Sequence, residues 1–130
     1  KPGLRELLAW LKQAHILCAV ATSTFTNVAI GYLKNAGVLN CFAAIVGGDQ
    51  VTKSKPDPEI FQLAMRALGK QTPETCLVFE DSRNGLLAGA NGGFPVIVVP
   101  DLFDPTLELP GLCYAKCARL DEAIDVIQNS

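Results

Sequence analysis

Leu4, Leu7, Leu8 and Leu11 recur at the spacing of one helical face, with Arg5, Glu6 and Lys12 on the other, so residues 4–14 are predicted to form an amphipathic helix. The pattern then changes. HILCAVAT at 15–22 is an apolar run ending in small hydroxylated residues, as a buried strand would, and TNVAIGYLKNAG at 26–37 predicts a second helix stopped by Gly37. CFAAIVGG at 41–48 reads as a short strand running into a glycine turn. VTKSKPDP at 51–58 is a polar, proline-bearing loop; Pro58 and Glu59 suit the first turn of a helix that reaches about Leu68 and is closed by Gly69. TCLVFEDS at 75–82 is another buried strand, now ending in two carboxylates. SRNGLLAGANGG at 82–93 is a helix with an abrupt glycine stop, and PVIVVP at 95–100 is a fourth strand. Beyond it, residues 101–111 hold two prolines and form a loop, a short apolar piece lies near Leu112 to Ala118, and Leu120 to Gln128 make a terminal helix.

Strand and helix thus alternate four times, with crossovers long enough to join parallel strands. The expected fold class is α/β with a mostly parallel sheet, in one domain over residues 1–130. In such sheets ligands bind beyond the C-terminal strand ends, which here carry Thr22 and Ser23, then Gly47 to Asp49, then Glu80 and Asp81.

Composition narrows the function classes. The 130 residues are 49% hydrophobic, enough for one substantial core, and 11 basic against 13 acidic side chains leave a formal charge of −2. No basic run tracks a nucleic-acid backbone, so nucleic acid is not an expected partner. The longest apolar stretches fall far short of a bilayer span and no secretory-type segment opens the chain, so a soluble protein without a membrane partner is expected. The five cysteines, Cys18, Cys41, Cys76, Cys113 and Cys117, form no CxxC pair, and a reducing cytoplasm fits them best. Cys18 and Cys76 sit in strand-like runs, where a free thiol acts as a small hydrophobe. The chain opens on Lys1, Pro2 and Gly3 and reads as a piece of a longer polypeptide.

Three groups carry candidate chemistry. Thr22, Ser23 and Thr24, between a strand and a helix, offer hydroxyls and backbone N–H groups to an anion; the competing reading is helix capping. Lys55, in a loop stiffened by Pro56 and Pro58, can hold an ammonium over a phosphate, with Lys53 as competitor or a solvated lysine as the plain alternative. Glu80 and Asp81 follow an apolar strand, where two adjacent charges call for a cation. Hard oxygen donors suit magnesium, whereas the alternative is an acidic turn in which one carboxylate caps the helix and Gly85 allows close approach. The remaining candidates are structural. GANGG at 89–93 ends a helix where a dinucleotide fingerprint must begin one, His15 is expected to begin a strand without a supporting triad order, and Asp57 and Glu59 belong to a helix start.

The ordered set AVATS at 19–23, KSKPDPEIF at 53–61 and VFEDSRNGLLAGANGG at 78–93 resembles the second, third and fourth motifs of the haloacid dehalogenase superfamily. Its β-phosphoglucomutase-like and phosphoglycolate-phosphatase-like branch is the nearest match, and KPGLRELLAWLKQ resembles the segment after that branch's cap domain. The resemblance implies a Rossmann-like three-layer sandwich and a Mg2+-dependent phosphatase or phosphomutase acting on small phosphorylated metabolites through an aspartyl-phosphate. By motif, Thr22 would hydrogen-bond the transferring phosphoryl group, Ser23 would give a backbone N–H, Lys55 would steady nucleophile and phosphate, and Glu80 and Asp81 would bind magnesium. No DxD followed by Gly and Thr or Val occurs in the 130 residues, so the attacking aspartate and the cap are missing. The chain itself is then expected to be inactive. In the family's sheet the first-motif strand lies between the strand ending at Thr22 and the one ending at Asp81. Its loss would leave two inner edges unpaired, open to self-association or to a retained N-terminal piece. A non-catalytic binding module is the alternative function, and a haloalkanoate dehalogenase is disfavoured by the paired acids.

Overall fold

A computed structural model describes all 130 residues, Lys1–Ser130. In chain order the main elements are α1 (Leu4–Gln13), β1 (Ala19–Ala21), α2 (Thr26–Asn35), β2 (Ala44–Val46), α3 (Glu59–Ala67), β3 (Val78–Glu80), α4 (Arg83–Asn91), β4 (Val96–Val98), β5 (Ala115–Lys116) and α5 (Ala123–Gln128), with short 3₁₀ turns between several of them. The chain is α/β and every strand pair is parallel. The ladders are shorter than the apolar runs that contain them. Single bonds extend them, from Ala43 N–H to the Cys18 carbonyl at 2.8 Å and from Thr22 N–H to the Val46 carbonyl at 2.9 Å.

Two details depart from the sequence reading. His15 does not begin a strand: with φ of 59° it stands in the left-handed region just after α1, exposed, its N–H on the Lys12 carbonyl. Glycine usually fills that place at a helix end, and no glycine marks it here. The apolar piece near Leu112 supplies a fifth strand, β5, along the free edge of β4, with Tyr114 N–H on the Val96 carbonyl and Cys117 N–H on that of Val98.

The strands fall into two groups, β1 paired with β2, and β3-β4-β5 with β4 in the middle. Their layers follow from the two-residue period of a strand. Val96 and Val98 join Val46, Ile60, Phe61, Met65, Val78 and Leu86 in a core under α3 and α4. Ile97 and Val99 point the other way, into a second core with Leu7, Leu11, Cys117, Leu120 and Ala123 from α1, β5 and the C-terminal turn and helix. Helices thus cover both faces, as a parallel sheet requires.

Nothing pairs β1 with β3. A cleft of about 290 Å³ separates them, bordered by Ala21 and Thr22 on one side and Phe79, Glu80 and Asp81 on the other. Helix α3 packs on β1 and β2 and also touches α4, so it bridges the two groups from one face. No helix is long and apolar enough to cross a membrane.

Candidate active site

A cavity of about 830 Å³ opens at the C-terminal ends of β1 and β3. Thr22, Ser23, Lys55, Glu80 and Asp81 all line it, so residues up to 59 positions apart in sequence meet at one opening.

Thr22 and Ser23 leave β1 in a tight turn in which the Thr22 hydroxyl accepts the Thr24 N–H at 3.1 Å. None of Thr22, Ser23 or Thr24 caps α2. That task falls to Asp49, whose Oδ1 accepts the Thr26 N–H at 2.7 Å and its hydroxyl at 2.8 Å. These bonds, the backbone N–H first, hold the Asp49 carboxyl below its ordinary pKa. Gly48 packs on the turn itself, its N–H on the Thr24 carbonyl at 2.9 Å, and a Cβ there would run into the Ser23 carbonyl. The glycine pair after β2 therefore shapes the hydroxyl turn after β1.

Lys55 reaches the cavity from the loop ahead of α3, and the peptide joining it to Pro56 is cis. Its Nζ stands 2.7 Å from Glu80 Oε2 and 3.5 Å from the Ala21 carbonyl, and 4.9 Å from the centre of the Phe61 ring. The pair is largely enclosed, the side chains of Lys55 and Glu80 being 13% and 9% exposed. Lys53 stands exposed and outside the cavity; its backbone N–H is bound by Glu59.

Glu80 ends β3 and its second oxygen accepts the Ser82 hydroxyl at 3.3 Å. The N-terminus of α4 is capped by Ser82, whose Oγ accepts the Gly85 N–H at 3.0 Å, so neither acid is used as a cap. Gly85 has no side chain because Glu80 fills the space a Cβ would need. Asp81 is the more open acid: its side chain is 42% exposed and Oδ2 lies 3.5 Å from Lys1 Nζ.

The donors bear on magnesium as follows. Two adjacent carboxylates line the cavity, and no third His, Cys, Asp or Glu joins them in a cluster. Magnesium takes one or two carboxylates and completes its shell with waters and phosphate oxygens, so the set fits a hydrated ion. Asp81 offers the accessible oxygens, while Glu80 shares its charge with Lys55.

Sequence reasoning gave no role to Ser82, Arg83 and Asn84 at the start of α4, or to Asp101, Leu102 and Phe103 after β4, all of which line the cavity. Asp101 follows PVIVVP directly, and the rule that ligands bind beyond strand ends would have pointed to it.

The haloacid dehalogenase-like hydrolase family model matches residues 1–93. The chain belongs to that family. Among characterised proteins it is 41% identical over 92 residues to the phosphorylated carbohydrates phosphatase of Thermotoga maritima, a stretch covering 71% of this chain and 42% of that one. Among solved structures it superposes on a candidate beta-phosphoglucomutase of Thermotoga maritima with a TM-score of 0.87 and 34% identity, covering 99% of this chain and 60% of that one. The structure of CbbY from Rhodobacter sphaeroides in complex with phosphate gives 0.84 and 33%, covering 95% and 55%. The chain thus spans about half the length of these relatives.

Proposed function

We propose that this chain supplies the supporting part of a phosphoryl-transfer site, in a phosphatase or phosphomutase acting on small phosphorylated metabolites. The observation that carries the reading is the meeting of a hydroxyl turn, one lysine and two carboxylates in a single cavity at strand ends. Phosphoryl transfer needs positioning and charge neutralisation more than covalent chemistry from the protein.

In this reading the Thr22 hydroxyl and the Ser23 N–H bind two phosphoryl oxygens and orient the phosphorus. The Lys55 ammonium, steered by Glu80 and the Phe61 ring, offsets the charge of phosphate and nucleophile together. Glu80 and Asp81 hold a magnesium ion, which when bound neutralises phosphate charge. The attacking carboxylate is an aspartate outside these 130 residues; it forms an aspartyl-phosphate as the ester oxygen leaves with its electron pair. The cleft between β1 and β3 is where a retained N-terminal piece, as an extended segment, would bring that group beside Lys55; self-association there would cover the unpaired edges without supplying it. The five free cysteines agree with a reducing, cytoplasmic setting.

The purified chain is expected to bind inorganic phosphate in the presence of magnesium and to release none from small phosphate esters. Loss of phosphate binding in Lys55→Ala, followed by isothermal titration, supports the assignment. Turnover by the chain alone that Asp81→Ala abolishes would show that the nucleophile lies within it.

A further inference from the structure

The loop that presents Lys55 is held by a residue outside the cavity. Glu59 opens α3, whose next residues Ile60 and Phe61 are 2% and 6% exposed, so its backbone is fixed to the core. Its carboxylate turns back along the chain. Oε1 accepts the Lys53 N–H at 2.9 Å and the Thr52 hydroxyl at 2.9 Å, and Oε2 accepts the Thr52 N–H at 3.0 Å. The result is a closed ring running from Thr52 to Glu59 with Lys55 inside it. The far half of the ring has other ties: Asp57 N–H reaches the Ser54 carbonyl at 3.0 Å, and Asn91 Nδ2 donates to the Pro56 carbonyl at 3.2 Å. The near half, Thr52 and Lys53, is bonded through Glu59.

We propose that Glu59 is a positioning residue for Lys55: it anchors the loop's near half and thereby sets where the ammonium stands between Glu80 and the incoming phosphate. Glu59 does not line the cavity, so it acts through Lys55. The inference rests on the phosphate-binding reading above for its functional meaning, though the geometry of the ring is independent of it. Small displacements matter because a charge-assisted contact weakens steeply with distance and angle.

The test uses the isotopically labelled 130-residue chain in four forms: wild type, Lys55→Ala, Glu59→Gln and Thr52→Val. Two readouts are taken by NMR, the cross-relaxation between the Lys55 Hε protons and the Phe61 ring, and the dissociation constant for inorganic phosphate. Amide exchange at Leu86 and Ile97 reports whether the core stays intact. Glu59→Gln is expected to weaken the Lys55 to Phe61 signal and to raise the phosphate dissociation constant about fivefold with core protection unchanged, and Thr52→Val to raise it about twofold. In wild type the Thr52 and Lys53 amide shifts should titrate together below the ordinary carboxylate range, and that titration should vanish in Glu59→Gln. An unchanged Lys55 to Phe61 signal in Glu59→Gln overturns the proposal, whatever happens to phosphate. Phosphate affinity unaffected by Lys55→Ala, with the Phe61 signal still lost in Glu59→Gln, would instead overturn the phosphate reading and leave the positioning intact.

Discussion

The strand runs HILCAVAT and PVIVVP are similarly apolar, yet they end in different surroundings. β4, paired on both edges and covered on both faces, has all three residues fully buried, whereas every residue of β1, paired on one edge, is half-exposed. Apolar content alone does not bury a strand; the number of neighbours does. The three-strand group is the mechanical base of the molecule. The two-strand group, with Ile16 and Leu17 exposed at its entry, is held mainly by α3 and by Lys55, which bonds the end of β1 and the end of β3 at once. The cavity lies across that divide, so its geometry depends on the looser half.

The largest expected effect tests the base. Ile97→Ala removes a side chain with no exposure from the core that β4 shares with α1 and the C-terminal helix and should cost about 3 kcal/mol, while Val20→Ala in β1 should cost about 1 kcal/mol. Equal shifts in the urea midpoint would break the comparison. Next comes the link between the halves. Lys55→Met strands an enclosed Glu80 carboxylate and should destabilise by about 2 kcal/mol, most of it recovered in Lys55→Met with Glu80→Gln. A double-mutant cycle in which the two changes simply add would remove the bridging role.

Acid should act chiefly on the looser half. Glu59, held low first by the Thr52 N–H and then by that of Lys53, and Asp49, held low by Thr26, both tie loops around β1 and β2. A depressed carboxyl contributes stability that is complete above its ordinary value. That contribution starts to fall near 4.5 for Glu59 and 3.8 for Asp49 and is lost as pH drops through their lower folded values. Amide protection at Thr26, Thr52 and Lys53 should therefore decline in that window before protection at Ile97 does; simultaneous loss would mean that the halves unfold as one. The smallest effect concerns thiols. Burial raises the pKa of both Cys18 and Cys117, with Cys41 adding to the first and Glu122 to the second. A disulfide reagent should label exposed Cys41 first, half-buried Cys18 next and buried Cys117 last. Cys18 reacting as slowly as Cys117 would show that the entry to β1 is as closed as β5.

Much of this was legible in the residues. The helices announce themselves by leucine spacing and glycine stops, and Lys55, Glu80 and Asp81 by their places at a stiffened loop and a strand end. His15 was not, because a left-handed residue other than glycine leaves no local mark. β5 was not, because two residues pair only when a free edge is offered to them. The supports of the site were hidden for a similar reason. Asp49, Glu59 and Asn91 act through contacts 23, 7 and 35 residues away in sequence, and in the chain they look like ordinary polar positions.

Gly85 gives the pair of acids a further meaning. Glu80 keeps its direction toward Lys55 because the first turn of α4 leaves it a vacancy the size of one methyl group. The orientation of a charged side chain is thus written into the chain five positions later, as a missing carbon atom. A homologous chain that retained both acids but carried alanine at that place would keep the composition of the site and lose its aim. In reading such sequences, the glycine informs about the carboxylate as much as the carboxylate does itself.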